Sequence, residues 1–277
     1  MSIAPSNPLL LRQLQPFVVG TADNVGCFDM QPFGLRVEDT HVFDPLRLAS
    51  APFLDRLCAL DAAAFGPEGM PMPRWIFLDG GELTGGVVGF GLAADALPAP
   101  WREALCVPDD HVGLVPVSMY IAIPTAESGA WVGHNLSSLA ARVRDPALRG
   151  LGSLTKAVAL RLLRTRTQIG AAQWDSPALR VHARLGALEV ISAWTPAHGK
   201  PWTVTYRARI DEPALLHLAR DPRGAVDFPA PSLWLASDDH AAMGMLQDRI
   251  EAGERFRFAG RPEPLEGGGQ RIPLAEG

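Results

Sequence analysis

The chain has 277 residues, of which 47% are hydrophobic and 20% are charged, and its formal net charge is −5. This composition is sufficient for a packed core and excludes a disordered chain, while the length fits one large domain with an appendage. The negative net charge and the absence of a dense lysine and arginine run argue against a nucleic-acid-binding protein.

The cysteines and the apolar runs indicate where the protein works. Cys27, Cys58 and Cys106 are odd in number and far apart, so they match neither a disulfide framework nor a metal-ligand spacing. No apolar stretch reaches the roughly 20 residues that span a bilayer, and the first residues lack the basic start of a signal peptide. We therefore expect a soluble protein of the reducing cytoplasm, with no metal and no membrane partner.

The first part of the chain predicts an irregular arm, followed by a helix and a hairpin. Apolar residues recur at helical spacing over Pro52–Phe65, and Asp79-Gly80-Gly81 is typical of a hairpin turn. The predicted elements are an arm over 1–34 with a strand at Phe17–Val19, a strand at Leu35–Phe43, the helix at 52–65, the hairpin at 75–93 and a short helix at Trp101–Leu105.

The rest of the chain alternates strands and helices. In order, we predict strands at Val112–Ile123 and Gly129–Val143, a helix at Ser153–Arg164, a strand at Ile169–Trp174, a helix capped by Ser176 and closed by Gly186, and strands at Leu188–Trp194 and Trp202–Ile210. After Asp211 follow a helix at Pro213–Ala219, a linker, a strand at Leu233–Ala236, a helix at Asp238–Ala252, a strand at Arg255–Phe258 and a tail at Pro264–Gly277.

A glycine loop, Arg149-Gly150-Leu151-Gly152-Ser153-Leu154, stands between a predicted strand and a predicted helix. Such loops bind phosphate because free backbone N–H groups and the helix dipole point at the anion. The chain has no P-loop spacing, and Thr155 stands where a dinucleotide-binding fingerprint needs its third glycine. An ordinary tight turn before a helix remains the alternative for the loop alone.

A second segment, Ser176–Gly186, gives the loop a context. Arg149-Gly150-Leu151-Gly152 fits the first places of the pattern Arg/Gln-x-x-Gly-x-Gly/Ala, with Leu154 in the last place. Val181-His182-Ala183-Arg184-Leu185-Gly186 aligns with the Leu-Tyr-x-x-Leu-Gly core of a later helix motif. In these two segments, in this order, the chain resembles the GNAT superfamily of N-acetyltransferases, over about residues 35–210.

The resemblance implies an α+β fold, acyl-CoA N-acyltransferase-like, with a mixed, mostly antiparallel sheet flanked by helices and a C-terminal α/β extension. The implied organisation is an N-terminal arm (1–34), an acyl-CoA-binding domain (35–210) and the extension (211–277). Three roles are open for the extension: completing a homodimer, covering the sheet or closing the pocket.

The resemblance also implies acetyl-CoA as co-substrate. The backbone of the strand before the loop would bind the pantetheine arm, and the loop would bind the diphosphate. The residues implied to bind the cofactor are Ala141, Arg142, Val143, Arg149, Gly150, Leu151, Gly152, Ser153 and Leu154.

The implied chemistry is transfer of an acyl group to an amine of a small molecule or peptide. His182 stands where the family places its tyrosine acid, and imidazole can donate a proton near neutral pH. The position of the family's catalytic carboxylate is occupied by Ser138, which is not a base, so His134 on the same face of the strand and Glu127 in the preceding turn are the candidates. Two alternatives stay open: a catalytically silent acyl-CoA-binding or regulatory module, and a protein that binds another nucleotide diphosphate.

Other residues carry weaker signals. The segments around 65–75 and 94–111 would choose the acceptor but contain no recognisable motif. Asp238-Asp239-His240 precedes a helix, so we expect Ser237 or Asp238 to cap that helix and no metal to bind there. Four tryptophans beside the later strands fit either sheet packing or an aromatic acceptor pocket: Trp131, Trp174, Trp194 and Trp202.

Overall fold

The structure of the protein is a computed structural model that describes residues 13–20, 39–69, 72–83, 86–220 and 227–277. The chain divides into two compact units. The first unit comprises Met1–Pro124, Gly133–Arg164 and Ala219–Pro222, and the second unit comprises Thr125–Val132, Thr165–Leu218 and Arg223–Gly277. Most of the predicted arm, Cys27 and the linker at 221–226 lie outside the described residues.

The first unit contains five strands and four helices among the residues that the structure describes. These are β1 (Gln15–Val19), β2 (His41–Phe43), α1 (Ala51–Phe65), α2 (Ile76–Leu83), β3 (Val87–Ala93), α3 (Ala99–Ala104), β4 (Leu114–Pro124), β5 (Ala130–Ser138, with 133–138 in this unit) and α4 (Leu151–Leu162). The predicted helices at 52–65, 101–105 and 153–164 and the predicted strands at 17–19 and 112–123 are confirmed, with ends shifted by at most two residues.

The strands of this unit lie in the order β5-β4-β3-β1-β2. β3 runs antiparallel to both β1 and β4, and the short edge strand β2 is parallel to β1. β3 and nearly all of β4 are buried, which explains their almost continuous apolar sequences. Of the predicted strand at Leu35–Phe43, the structure describes only the part from Asp39, and β2 covers its last three residues.

The predicted hairpin over 75–93 is wrong in its first half. Residues Ile76–Leu83 form α2, and only Val87–Ala93 form a strand. A Cβ on Gly80 would come 3.0 Å from a methyl group of Val87, and one on Gly81 would come 2.9 Å from the ring of Pro45. The two glycines therefore let the helix pack closely on its neighbours, and they do not form a turn.

The second unit contains the remaining elements of the described chain. These are β6 (Thr167–Gln173), α5 (Ala178–His182), β7 (Glu189–Ser192), β8 (Thr203–Arg209), α6 (Glu212–Arg220), β9 (Leu233–Ala236), α7 (His240–Glu251), β10 (Phe256–Phe258), β11 (Glu263–Pro264) and β12 (Gln270–Glu276). Of α6, residues 212–218 belong to this unit. The strands of the unit lie in the order β11-β12-β10-β7-β8-β6, with β9 paired to β12.

The predicted tail at Pro264–Gly277 is wrong. Residues Gln270–Glu276 form β12, which pairs antiparallel with β9, β10 and β11, and Ile272 and Leu274 are completely buried. β10 in turn pairs with β7, so the predicted extension is hydrogen-bonded into the same sheet as residues 167–209. The fold is mixed α+β, with mostly antiparallel sheet flanked by helices.

Candidate functional site

The glycine loop opens helix α4. Gly150 is the N-cap residue and lies in the left-handed region, with φ 83° and ψ −3°, and no side chain caps the helix. The first helical hydrogen bond runs from Leu154 N to Gly150 O over 2.9 Å. The N–H groups of Leu151 and Gly152 therefore have no acceptor within the helix, and they lie at the positive end of its dipole. This turn has the geometry of an anion site.

The side chains of the loop point away from that turn. Leu151, Ser153 and Leu154 are buried at 1%, 3% and 6% exposure. Leu154 therefore packs in the core and does not fill the space outside the loop where a bound group would lie. What the loop presents to solvent is its backbone and the exposed side chain of Arg149.

The first turn of α4 lies beside the end of β5. A Cβ on Gly152 would be 3.7 Å from Ser138 Cβ and 3.9 Å from a methyl group of Leu136. The Ser138 hydroxyl accepts a hydrogen bond from Ala140 N over 3.3 Å and so caps the turn that follows the strand. The structure thus brings two predicted site positions, Ser138 and the glycine loop, into one place.

The prediction that a strand continues to Val143 is wrong. β5 ends at Ser138, and a 3₁₀ turn follows over Leu139–Ala141. The N–H groups of Arg142 and Val143 both donate to Leu139 O, each over 2.9 Å. The reason is local: the Ser138 hydroxyl caps the turn, and the buried Leu139 anchors it. Ala141, Arg142 and Val143 therefore present no strand edge to a pantetheine arm.

His134 belongs to a polar network that the sequence does not reveal. Its Nδ1 lies 3.2 Å from Asn135 Oδ1, and Asn135 Nδ2 donates to Asp61 Oδ1 over 2.9 Å. Asp61 is completely buried and also accepts Met72 N over 2.6 Å and the Ser137 hydroxyl over 3.1 Å. The sequence signal for this network was the carboxylate of Asp61 on the apolar side of the helix at 52–65.

Lys156, on α4, is a second group that the sequence reasoning missed. Its side chain is completely buried, and its amine lies 6.0 Å from the centre of the Tyr120 ring on β4. Burial holds the pKa of this amine well below the usual value of lysine. The neighbouring Thr155 hydroxyl lies 2.6 Å from the Ser118 hydroxyl and donates to Leu151 O, so this side of α4 fits tightly on β4.

His182 belongs to the second unit. It is 7% exposed, and its ring centre lies 5.4 Å from that of Tyr206 on β8. The Ser176 hydroxyl accepts Ala178 N over 3.2 Å at the start of its helix, as predicted. The helix itself ends at His182, and a 3₁₀ turn over Ala183–Leu185 leads to Gly186, which has a φ of 113°. A tyrosine beside the predicted acid is a feature that spacing alone could not reveal, since it comes from a different strand.

The remaining sequence signals resolve as follows. Trp174 is completely buried, whereas Trp194 and Trp202 form a half-buried aromatic cluster with His240. Asp239 caps α7 by accepting Ala242 N over 2.9 Å, so the expected caps Ser237 and Asp238 are wrong. Glu127 is exposed in the turn before β5.

Neither a metal cluster nor a membrane span emerges in the part of the chain that the structure describes. Within that part, no three His, Cys, Asp or Glu side chains are grouped to hold a metal ion. The helices there are too short or too polar to cross a bilayer. Cys58 and Cys106 are free, and burial raises the pKa of the Cys58 thiol, which makes it a weaker nucleophile.

Comparison of the chain with protein-family models, with curated proteins and with solved structures finds no match.

Proposed function

We propose that the chain is a cytoplasmic acyl-CoA-dependent N-acyltransferase of the GNAT type that transfers an acetyl group from acetyl-CoA to an amine. The observation that carries this proposal is the left-handed Gly150 turn at the start of α4. It offers backbone N–H groups to an anion at the helix end beside the last residue of β5.

The residues of the loop fit a diphosphate. Because the side chains of Leu151, Ser153 and Leu154 are buried, an anion would meet only backbone donors and the Arg149 guanidinium. Arg144, also exposed, lies in the segment leading to the loop, as does Arg142, whose Nε donates a hydrogen bond to Ala63 O. A polyanionic group such as the phosphates of CoA suits this combination of helix dipole and guanidinium charge.

The element order along the chain also supports the proposal. The resemblance predicts a strand, a glycine loop, a helix, a strand, a short capped helix and a strand. β5, the loop, α4, β6, α5 and β7 follow one another in that order. The Ser176 hydroxyl accepts Ala178 N at the start of the short helix, and the 3₁₀ turn that follows the helix ends at Gly186.

Acyl transfer sets three tasks for the residues of this chain, and acetyl-CoA would supply the activated thioester. The thioester carbonyl must be polarised, the acceptor amine must lose a proton, and the departing thiolate must gain one. His134, exposed on β5, is the candidate that removes the amine proton. His182 is the candidate that protonates the thiolate, and Ser138 is the candidate that positions or polarises a bound group.

A catalytically silent acyl-CoA-binding module is the second candidate function. Two observations favour it: Ser138 occupies the place of a carboxylate, and the N–H groups of Arg142 and Val143 are already hydrogen-bonded to Leu139 O. Such a module would bind acetyl-CoA at the same loop and would not turn it over.

Titration calorimetry with acetyl-CoA, CoA and NAD tests the binding step. We expect acetyl-CoA and CoA to bind and NAD not to bind. Arg149→Ala should weaken acetyl-CoA binding by about tenfold, on the order of one charge-assisted hydrogen bond. Arg47→Ala is the matched control, because the Arg47 side chain is 77% exposed and pairs with Asp44. Binding of NAD alone would overturn both candidate functions.

Thiol release from acetyl-CoA across a panel of amines then separates the enzyme from the silent module. We expect at least one amine to stimulate thiol release and to be recovered as its N-acetyl product. Acetyl-CoA binding without release across small amines and peptides that carry a free amino group would favour the silent module.

A further inference from the structure

The network around Asp61 fixes the orientation of the Asn135 side chain. A completely buried carboxylate needs hydrogen-bond donors, because it cannot donate and is costly to desolvate. Asp61 has three: Met72 N, Asn135 Nδ2 and the Ser137 hydroxyl, at 2.6, 2.9 and 3.1 Å. The Asn135 amide must therefore turn its nitrogen to Asp61, which leaves its oxygen pointing away.

The oriented amide in turn fixes the state of His134. Asn135 Oδ1 lies 3.2 Å from His134 Nδ1. Because the amide oxygen can only accept, the hydrogen of the neutral imidazole lies on Nδ1. The other ring nitrogen, Nε2, then carries the lone pair, and the side chain that holds it is exposed. In an unconstrained histidine the hydrogen prefers Nε2, so the network selects the less common form.

His134 also has a suitable place on β5. By strand alternation it shares a face with Leu136 and Ser138, the two residues that flank Gly152 at the start of α4. His134 lies about 13 Å along the strand from Ser138 at about 3.3 Å per residue. His134 and the start of α4 therefore lie along one face of β5.

We propose that Asp61 and Asn135 are positioning residues that hold His134 in the Nδ1–H form, with Nε2 as the base for the acceptor amine. This inference rests on the proposed function and names the base of that reaction. In the step, His134 Nε2 takes one proton from the amine, the amine nitrogen bonds to the thioester carbon, and the carbon–sulfur bond breaks. CoA leaves as a thiolate, which takes up a proton from a protein acid or from water.

The same carboxylate ties the strand to the segment expected to select the acceptor. Asp61 accepts the backbone N–H of Met72, and Asn135 Nδ2 lies 3.6 Å from Met72 Sδ. Met72 follows the 66–69 turn and is 9% exposed. The base and one end of this segment are thus held by one buried group.

Histidine ¹⁵N NMR tests the positioning without any substrate. The signals of His134 are the ones that disappear from the spectrum of His134→Gln. His41→Gln is the assignment control, because His41 is another exposed histidine of the same unit. We expect the Nδ1–H pattern for His134 in the wild type and a shift toward the Nε2–H pattern in Asn135→Ala and in Asp61→Asn. The positioning role of Asn135 and Asp61 is overturned by either of two results. One is an Nε2–H pattern for His134 in the wild type, and the other is an Nδ1–H pattern that stays unchanged in a folded Asn135→Ala. Asn135→Ala is the milder change because Asn135 is only partly buried.

Kinetics of thiol release test the base. His134→Gln should lower kcat by at least about 100-fold, and Asn135→Ala should lower it by about tenfold. In both variants, calorimetry should show an unchanged affinity for acetyl-CoA. The His41→Gln control should keep the wild-type kcat. Full turnover in His134→Gln overturns the base role. If no amine is acetylated at all, both the base role and the proposed function fail, and the NMR result still decides the network by itself.

Discussion

Gly152 lies against Ser138: a Cβ on the glycine would come 3.7 Å from the serine Cβ, at an ordinary van der Waals distance. Two residues earlier, Gly150 has a φ of 83°, which residues with a Cβ adopt only under strain. The two glycines of one motif therefore have different physical roles. Gly150 makes the turn, whereas Gly152 leaves a small gap in the first turn of the helix.

Alanine substitutions separate these roles. Gly150→Ala should cost about 1–2 kcal/mol of stability because of its left-handed conformation, and it should weaken acetyl-CoA binding by disturbing the turn. Gly152→Ala should leave stability unchanged or raise it by up to about 1 kcal/mol, since alanine favours helix and the space exists. Urea denaturation and calorimetry measure both effects. Equal destabilisation by the two substitutions would contradict the assignment.

The sequence predicted the parts of the fold that depend on local signals. The helix at 52–65 was found from the apolar periodicity of its own residues, and the start of the helix at 178–182 is a nearest-neighbour effect, so Ser176 was informative. The segment at 76–83 was predicted as part of a hairpin because Asp79-Gly80-Gly81 is typical of a turn. That local signal fails where neighbouring residues pack closely against the glycines. In the structure the two glycines are required by Val87 and Pro45, which are contacts that no local pattern contains.

The candidate site shows the same division. The glycine loop was found because its residues are contiguous, and its helix begins within two residues of the predicted start. Asp61 and Asn135 are separated by 74 positions in the chain, and their hydrogen bond exists only after α1 and β5 have packed. The burial of Lys156 and the contact of His182 with Tyr206 likewise depend on tertiary structure.

Lys156→Met should remove a pH dependence of stability that the wild type shows. Because burial lowers the pKa of Lys156 below the usual 10.5, the unfolded chain holds a proton that the folded chain releases between the two pKa values. Wild-type stability should therefore rise with pH through that interval, whereas the stability of Lys156→Met, in which the side chain has a similar volume without charge, should not. Urea denaturation from pH 7 to 10 measures the difference. Lys200→Met, at the other lysine of the chain, is the control, and a stability difference between wild type and Lys156→Met that does not change with pH would refute the explanation.

Two neighbouring aspartates precede α7, and only Asp239 caps the helix, so Asp238 is a matched control. Asp239→Ala should lower the free energy of unfolding by about 1 kcal/mol, since the Asp239 side chain accepts Ala242 N over 2.9 Å. Asp238→Ala, at an exposed residue one position earlier, should change it by less than about 0.5 kcal/mol. Chemical denaturation of the two variants measures the difference. A larger loss in Asp238→Ala would restore the cap expected from the sequence.

His182 has its own test, independent of the base. If it protonates the departing thiolate, His182→Gln should lower kcat for thiol release by about 100-fold while acetyl-CoA binding is retained. Because His182 is only 7% exposed, circular dichroism must first establish that the variant is folded. Unchanged turnover in the folded variant would remove His182 from the reaction and leave it as a packing partner of Tyr206.

Gly170 and Tyr206 form a directly opposed cross-strand pair between β6 and β8. A Cβ on Gly170 would overlap the hydroxyl end of the Tyr206 ring and would come 2.9 Å from its Cε1. The ring, 1% exposed, therefore lies flat over the glycine and reaches His182 on the same side. Only glycine leaves space for this arrangement, so the position of the ring depends on Gly170.

Gly170→Ala should accordingly cost about 1–3 kcal/mol through overpacking. Tyr206→Leu alone should cost about 2–4 kcal/mol by leaving a cavity, but adding Gly170→Ala to it should cost almost nothing, since the overlapping atoms are gone. Gly199→Ala is the control, because a Cβ there meets nothing within 4 Å. A double-mutant cycle in urea measures the coupling. Additive losses would mean that the ring does not lie over Gly170, and the contact of Tyr206 with His182 would then lose its structural basis.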